Sequence, residues 1–183
     1  MSVSGNFQPN HFGLHVWFAF TGITAPKNKR VINAVIKQTN EDLLWQWHTK
    51  YLPKHFTRAA YREYGYMPRQ GEPGYPFLDS KGRKIGFKKS YTGRKLAKYG
   101  HTNPFVYTGR TMAMALNRAN ANVNPKKLSS NQASISFPIG WADKTAHLGK
   151  YAAAEMTRVS PVEVHELAEW YLMRLADNLA MVK

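Results

Sequence analysis

The stretch Ser160-Pro161-Val162-Glu163, followed by Val164, Ala168, Tyr171, Leu175 and Leu179, constrains this chain more than any other. Ser and Glu three residues apart form the two halves of a capping box, each able to satisfy the other's unpaired backbone N–H. Pro is welcome at the first helical position, where its missing N–H has no partner to lose. The apolar residues recur at steps of three and four, so they share one stripe. A closing helix is therefore expected from residue 161, and the fold must bury one of its faces.

A second stripe, Ile32, Ile36, Leu43, Trp47 and Tyr51, supplies a partner. Pro53 should stop or kink that helix, while Phe56, Ala60 and Tyr64 continue at steps of four until Gly65, so a long helix broken near Pro53 and a shorter one are expected. Upstream, Leu14, Val16, Phe18 and Phe20 alternate with His15, Trp17 and Ala19, the period of a strand. Ala119, Ala121 and Val123 alternate with Arg118, Asn120 and Asn122, and Ile135, Phe137, Ile139 and Trp141 alternate with Ser134, Ser136 and Pro138. These read as hairpin strands joined by a turn-rich connector, NPKKLSS, with Pro138 marking an edge or a bulge. Residues 1–10, small and polar, read as a loose terminal segment. The expected fold class is α+β: one domain over residues 1–183, a small antiparallel sheet packed by the long helix and the C-terminal helix.

Charge is the loudest compositional fact. The formal net charge is +15, and it is uneven: Ser80 to Ala142 holds twelve Lys or Arg and no acid, whereas the last forty-one residues hold six of the eleven acids. Residues 65–102, rich in Gly, Pro, Tyr and Lys without a sustained period, read as an extended basic loop, arm or insertion. There Lys81, Arg83, Lys84, Lys88, Lys89, Arg94, Lys95 and Lys98 are interleaved with Phe87, Tyr91 and Tyr99. Cations track a phosphate backbone and aromatic rings offer stacking faces, so nucleic acid fits. An acidic protein surface or a solvated loop fits as well, because charge alone carries no partner identity.

Several chemistries are disfavoured. The absence of Cys removes disulfides, thiolate zinc sites and a Cys nucleophile, and suits a reducing compartment. The longest apolar run, Leu14 to Phe20, is far short of the ~20 residues of a membrane helix, and neither a basic n-region nor a cleavage site accompanies it, so a soluble chain with no membrane contact is expected. His165-Glu166-Leu167-Ala168-Glu169 opens like a zincin helix but has Glu169 where the second His must stand. His11 with His15, and His48 with His55, could each share a face, yet no carboxylate accompanies them in sequence. GRKIGFKKS lacks the spacing of a phosphate loop, and there is no nucleophile elbow. We therefore expect no enzyme, no metal, no cofactor and no catalytic residue.

In order, the parts resemble a known family. NPFVYTGRTMAMAL (Asn103–Leu116), ISFPIGW, HLGKYA and RVSPVEVHELAEWYLMRL are similar to phage virion-morphogenesis and tail-completion proteins of the head-tail junction. That family has a hydrophobic-Thr-Gly-Arg-hydrophobic turn opening a short helix, a strand ending in Ile-Gly, a Tyr-Ala leading into an Arg-containing loop, and Ser-x-x-Glu starting the last helix. Here these are Tyr107 to Met112, Phe137 to Gly140, Tyr151-Ala152 with Arg158, and Ser160 to Glu163, and the likeness runs from about Thr39 onward. Met112 departs from the usual Leu, and the stretch from Gly65 to Lys98 is longer and more basic than the pattern. The resemblance implies a structural subunit of a neck or tail-completion ring in the virion. Its partners would be copies of itself, other head-tail junction or tail proteins, and phage DNA passing through. It further implies that Thr108 and Gly109 form a turn and cap, and that Arg110, set against the helix dipole, points with Arg158 toward a neighbouring subunit or acidic partner. From the other functional class, a stand-alone basic nucleic-acid-binding protein remains the alternative.

Overall fold

A computed structural model of the chain describes residues 2–8, 11–17, 29–69, 77–106, 109–129, 132–138 and 155–181. Helix α1 (Lys29–Lys50) is the element on which the rest is built. Its Val35, Leu43, Leu44 and Trp47 are buried, and Tyr51 extends the same face past the helix end. Pro53 does not kink α1; the helix ends at Lys50 and Pro53 sits in the first turn of a 3-10 segment, Leu52–Phe56, where its missing N–H costs nothing. Helix α2 (Ala60–Glu63) is a single turn that Gly65 closes with a left-handed φ of 59°.

The sheet is antiparallel, in the order β1-β2-β4-β3. Strand β2 (His11–Trp17) pairs with β1 (Ser2–Gln8) on one side and with β4 (Gln132–Pro138) on the other, and β3 (Asn124–Ser129) pairs with β4. Ala133 and Ile135 of β4 are buried in one cluster with Val35, Leu43, Leu44 and Trp47 of α1 and Ala115 of α4 (Arg110–Leu116). Burying each large apolar side chain of this cluster contributes about 1.5–3 kcal/mol.

The C-terminal helix α5 (Pro161–Ala180) lies along α1. Ser160 caps it: the Ser160 hydroxyl accepts from Glu163 N at 3.2 Å, and the Glu163 carboxylate accepts from Ser160 N at 3.1 Å. The α1–α5 seam mixes Leu167, Tyr171 and Leu175 with buried polar groups that pair across it: Tyr171 OH donates to Asn40 Oδ1 (2.9 Å) and Asn178 Nδ2 to Thr39 Oγ1 (3.0 Å). At its margin Arg174 Nε meets Asp42 Oδ2 at 2.7 Å. The fold is therefore α+β, with a small antiparallel sheet packed by a long helix that also carries the C-terminal helix.

Five expectations need correction. Residues 1–10 are not a loose segment: Ser2–Gln8 form β1, in register from Ser2 opposite Trp17 to Gln8 opposite His11, because the outer edge of β2 offers an unpaired row of backbone groups. Residues 118–122 are turns rather than a strand, since the Asn117 and Asn120 side chains accept from Ala119 N and Asn122 N, both at 3.0 Å, and so hold the backbone locally. The connector Asn124–Ser129 is instead the strand β3, which tolerates Pro125 because β3 lies at a sheet edge. Pro138 marks no edge; it is the last residue of an interior strand, and the register shift of this hairpin falls in β3 between Lys127 and Ser129. The α5 stripe keeps the expected Tyr171 and Leu175, but Glu163, Leu167 and Asn178 are buried in place of Val164, Ala168 and Leu179, each one residue earlier. It runs Glu163, Leu167, Tyr171, Leu175, Asn178.

Candidate partner interface

Residues 77–100 of the basic stretch carry local structure of their own. Asp79 builds its first half: the carboxylate accepts from Lys81 N and Arg83 N (both 2.9 Å) and from Arg83 Nε (2.8 Å). Those bonds, Arg83's first among them, hold the Asp79 carboxyl below its usual range. Gly82 takes φ 74°, and Leu78 bridges to Lys84. A 3-10 turn, Phe87–Lys89, then leads into helix α3 (Tyr91–Tyr99). Ser90 caps α3 by accepting from Gly93 N at 3.0 Å while donating to Phe87 O at 2.6 Å. Gly100 ends the helix in the left-handed region, its N–H on Leu96 O at 2.9 Å.

This scaffold sorts the eight cations. Lys81, Arg83, Lys84, Lys88, Lys89, Arg94 and Lys98 are exposed. Lys95 is not a surface cation: its side chain is buried and its ammonium donates to Asn103 O, so it staples α3 to the following segment. Tyr91, Arg94 and Lys98 are three and four residues apart and share the outward face of α3. Phe87, Tyr91, Leu96 and Leu78 are also partly in solvent. The result is a surface with both charge and apolar area.

The residues expected at a partner contact separate. Gly109 is the N-cap of α4, with φ 82°, and accepts from Ala113 N at 2.9 Å, so a glycine is what this turn requires. Arg110 follows at the first helical position and is exposed. Thr108 lies outside the described residues, as do Phe18 to Phe20, Ile139 to Trp141 and Tyr151-Ala152. Arg158 is committed within the chain. Its Nη1 donates to Tyr64 O (2.8 Å) and Gly65 O (2.5 Å), carbonyls left without helical partners at the end of α2.

Among the described side chains, His48 and His55 have separate partners, while the His11 and His15 side chains lie outside what the structure describes. His48 is buried and its Nε2 lies 2.8 Å from Ala115 O, which makes that nitrogen the donor; burial lowers its pKa. His55 stacks on Tyr64 with ring centroids 3.9 Å apart, and its Nδ1 meets Tyr66 OH. Burial pushes His55 down to about 3, so it is neutral. Around it, Tyr64 OH donates to Glu163 and Arg69 pairs with the buried Glu155, which also accepts from Met67 N at 2.8 Å. Burial raises the Tyr64, Tyr66 and Glu163 pKa values. This network joins residues 54–69 to the start of α5. Sequence reading missed it because Glu155, Glu163 and Arg69 are remote in sequence from His55.

His165 and Glu169, four apart and exposed, pair at 3.2 Å on the outside of α5. Among the described residues no group of His and acids is placed to hold a metal ion, and no helix is long and apolar enough to cross a membrane. Compared with family models, curated proteins and solved structures, the chain has no match.

Proposed function

We propose that this chain is a structural subunit of a phage head-tail junction, a neck or tail-completion ring that joins tail to head and lets DNA pass. The observation that carries the reading is the order of its local devices. A glycine turn opens a short helix with an Arg at its first position (Gly109, Arg110), a strand follows (β4), and an Arg-containing loop precedes a helix opened by a capping box (Arg158, Ser160, Glu163). That is the order of the head-tail junction pattern the sequence resembles. No catalytic role is assigned. The test is genetic and visual. Particles made without this chain are expected to accumulate as separate heads and tails, and cryo-EM of complete particles is expected to show several copies around the channel. Normal joining in its absence would overturn the reading.

A stand-alone nucleic-acid-binding protein is the second reading, favoured by the seven exposed cations of residues 81–98 beside Phe87 and Tyr91. Under it, neutralising Lys88, Lys89, Arg94 and Lys98 would weaken DNA binding steeply. Each lost phosphate contact would flatten the slope of log affinity against log salt by about 0.9. Under the junction reading, the same variant fails in head-tail joining.

A further inference from the structure

Helix α5 has two faces, and among the described residues one of them packs within the subunit. The inner face carries Leu167, Tyr171 and Leu175 onto α1. On the other side Val162, Leu172, Met173 and Leu179 stand in solvent, Leu172 and Met173 at 65% and 71% exposure. A helix of a lone globular subunit shows solvent a polar face, so an apolar outer stripe marks a contact surface. Its exposed acids are Glu169 and Asp177, beside His165. The remaining charged groups of α5 are engaged inward: Glu163 in the cap, Glu166 on Lys50 at 2.6 Å, and Arg174 on Asp42.

The complement of this surface is on the same chain. The unit around α3 exposes cations with apolar groups among them, Arg94 and Lys98 alongside Tyr91 and Phe87. We propose that the outer face of α5 in one copy receives the basic face of the Phe87–Lys98 unit in a second copy. The argument is charge and apolar complementarity together: acids meet cations at the rim while Leu172 and Met173 cover the exposed rings. The two surfaces differ, so the contact is heterologous, each copy giving one surface to one neighbour and the other to the next, which closes a ring where the rotation permits. The inference rests on the ring reading and names the contact that would build it. Pairing α5 with α5 would leave the basic unit unmatched.

The chain contains no Cys, which makes the test direct. Full-length protein carrying both Leu172→Cys and Arg94→Cys is oxidised at micromolar concentration and moderate salt. It is expected to give a ladder of disulfide-linked multimers, whereas either substitution alone gives monomer. Dimer from Leu172→Cys alone would mean that α5 pairs with itself, and monomer from the double variant would mean that the faces do not meet; either result overturns the proposal. A second measurement uses sedimentation velocity on E169K/D177K and R94E/K98E, with circular dichroism to confirm folding. Each variant alone is expected to associate at least tenfold more weakly than the parent. Their equimolar mixture should regain association as an alternating assembly, because one pair of surfaces stays intact and in the other the two reversed faces again carry opposite charges. Parent-like assembly of either variant alone, or a monomeric parent, overturns the proposal. Should the cross-link ladder fail while particles still carry a ring of this chain, the junction reading stands and this contact falls. The reverse result sinks the junction reading and keeps the contact.

Discussion

The carbonyl oxygen of Phe87 lies 1.9 Å from the point where a Cβ on Gly93 would stand. No side chain fits there, and the obstacle is backbone, which cannot swing aside. Helix α3 can lie on the 3-10 turn Phe87–Lys89 only because residue 93 is glycine. Its φ is not the reason: among the described glycines, 65, 82, 100 and 109 have positive φ, and 93 does not.

Gly93→Ala is therefore expected to release α3 from that turn, at a cost of about 1–3 kcal/mol, the range for overpacking. Gly100→Ala is the control. Its Cβ would meet nothing within 4 Å, and the penalty comes from φ 71° alone, roughly 1–2 kcal/mol. Amide hydrogen exchange should show lost protection over residues 87–99 in Gly93→Ala while α1 and α5 keep theirs.

Lys95 and Lys98 carry the same charge three residues apart, and the structure gives them different work. Lys95 is buried with its ammonium on Asn103 O; Lys98 is exposed, its ammonium 5.3 Å from the Tyr99 ring. Lys95→Met leaves that carbonyl without its cation and should lower stability by about 1–3 kcal/mol. Lys98→Met should change stability by no more than about 0.5 kcal/mol, yet reduce binding to whatever partner the basic face takes. Denaturation midpoints beside a binding titration on the two variants check this. Equal destabilisation would contradict the assignment.

What was legible in the sequence was local. The capping box at Ser160 and Glu163 and the apolar stripes of α1 and α5 stood out because cap and period are written within one turn of helix. The ends of α3 were equally written, Ser90 before it and Gly100 after it, but no apolar period joined them, so the segment read as a loop. The displaced positions of the α5 stripe could not be read. They include Glu163 and Asn178, whose burial depends on Tyr64 and Thr39, partners fixed only by the tertiary fold. The inward role of Arg158 was hidden for the same reason, its acceptors Tyr64 O and Gly65 O lying more than ninety residues away.

Arg158→Ala should therefore act on the fold even if it also acts on assembly. Removing the guanidinium leaves two carbonyls at the end of α2 without their donor, an expected loss of about 1–2 kcal/mol. Arg158→Lys should recover part of it, since one ammonium can reach one or both carbonyls. Arg110→Ala provides the comparison: the residue is exposed at the start of α4, where a cation opposes the dipole, and its removal should leave thermal stability within about 0.5 kcal/mol. Thermal melts of the three variants check the ordering.

His55 sets a pH dependence whose sign follows from its burial. Folded, the imidazole titrates at about 3; unfolded, near its ordinary value of 6.5. Below 6.5 the unfolded chain takes a proton that the folded chain refuses. The stability this group contributes is full above that pH and falls as pH drops toward the folded value, by about 1.4 kcal/mol per pH unit. Near pH 4 the loss from His55 alone is about 3 kcal/mol. His48, also lowered by burial, adds in the same direction. Glu163 opposes it, because its raised pKa favours the folded state as acid is added. His55→Phe keeps the stack on Tyr64 and removes the titration. It should cost about 1–3 kcal/mol at pH 8, where Tyr66 OH loses its partner. The variant should then lose less stability than the parent between pH 6.5 and 4, so that the two curves converge in acid. Chemical denaturation at half-unit pH steps would measure the difference, and parallel curves would show that His55 is charged inside the fold.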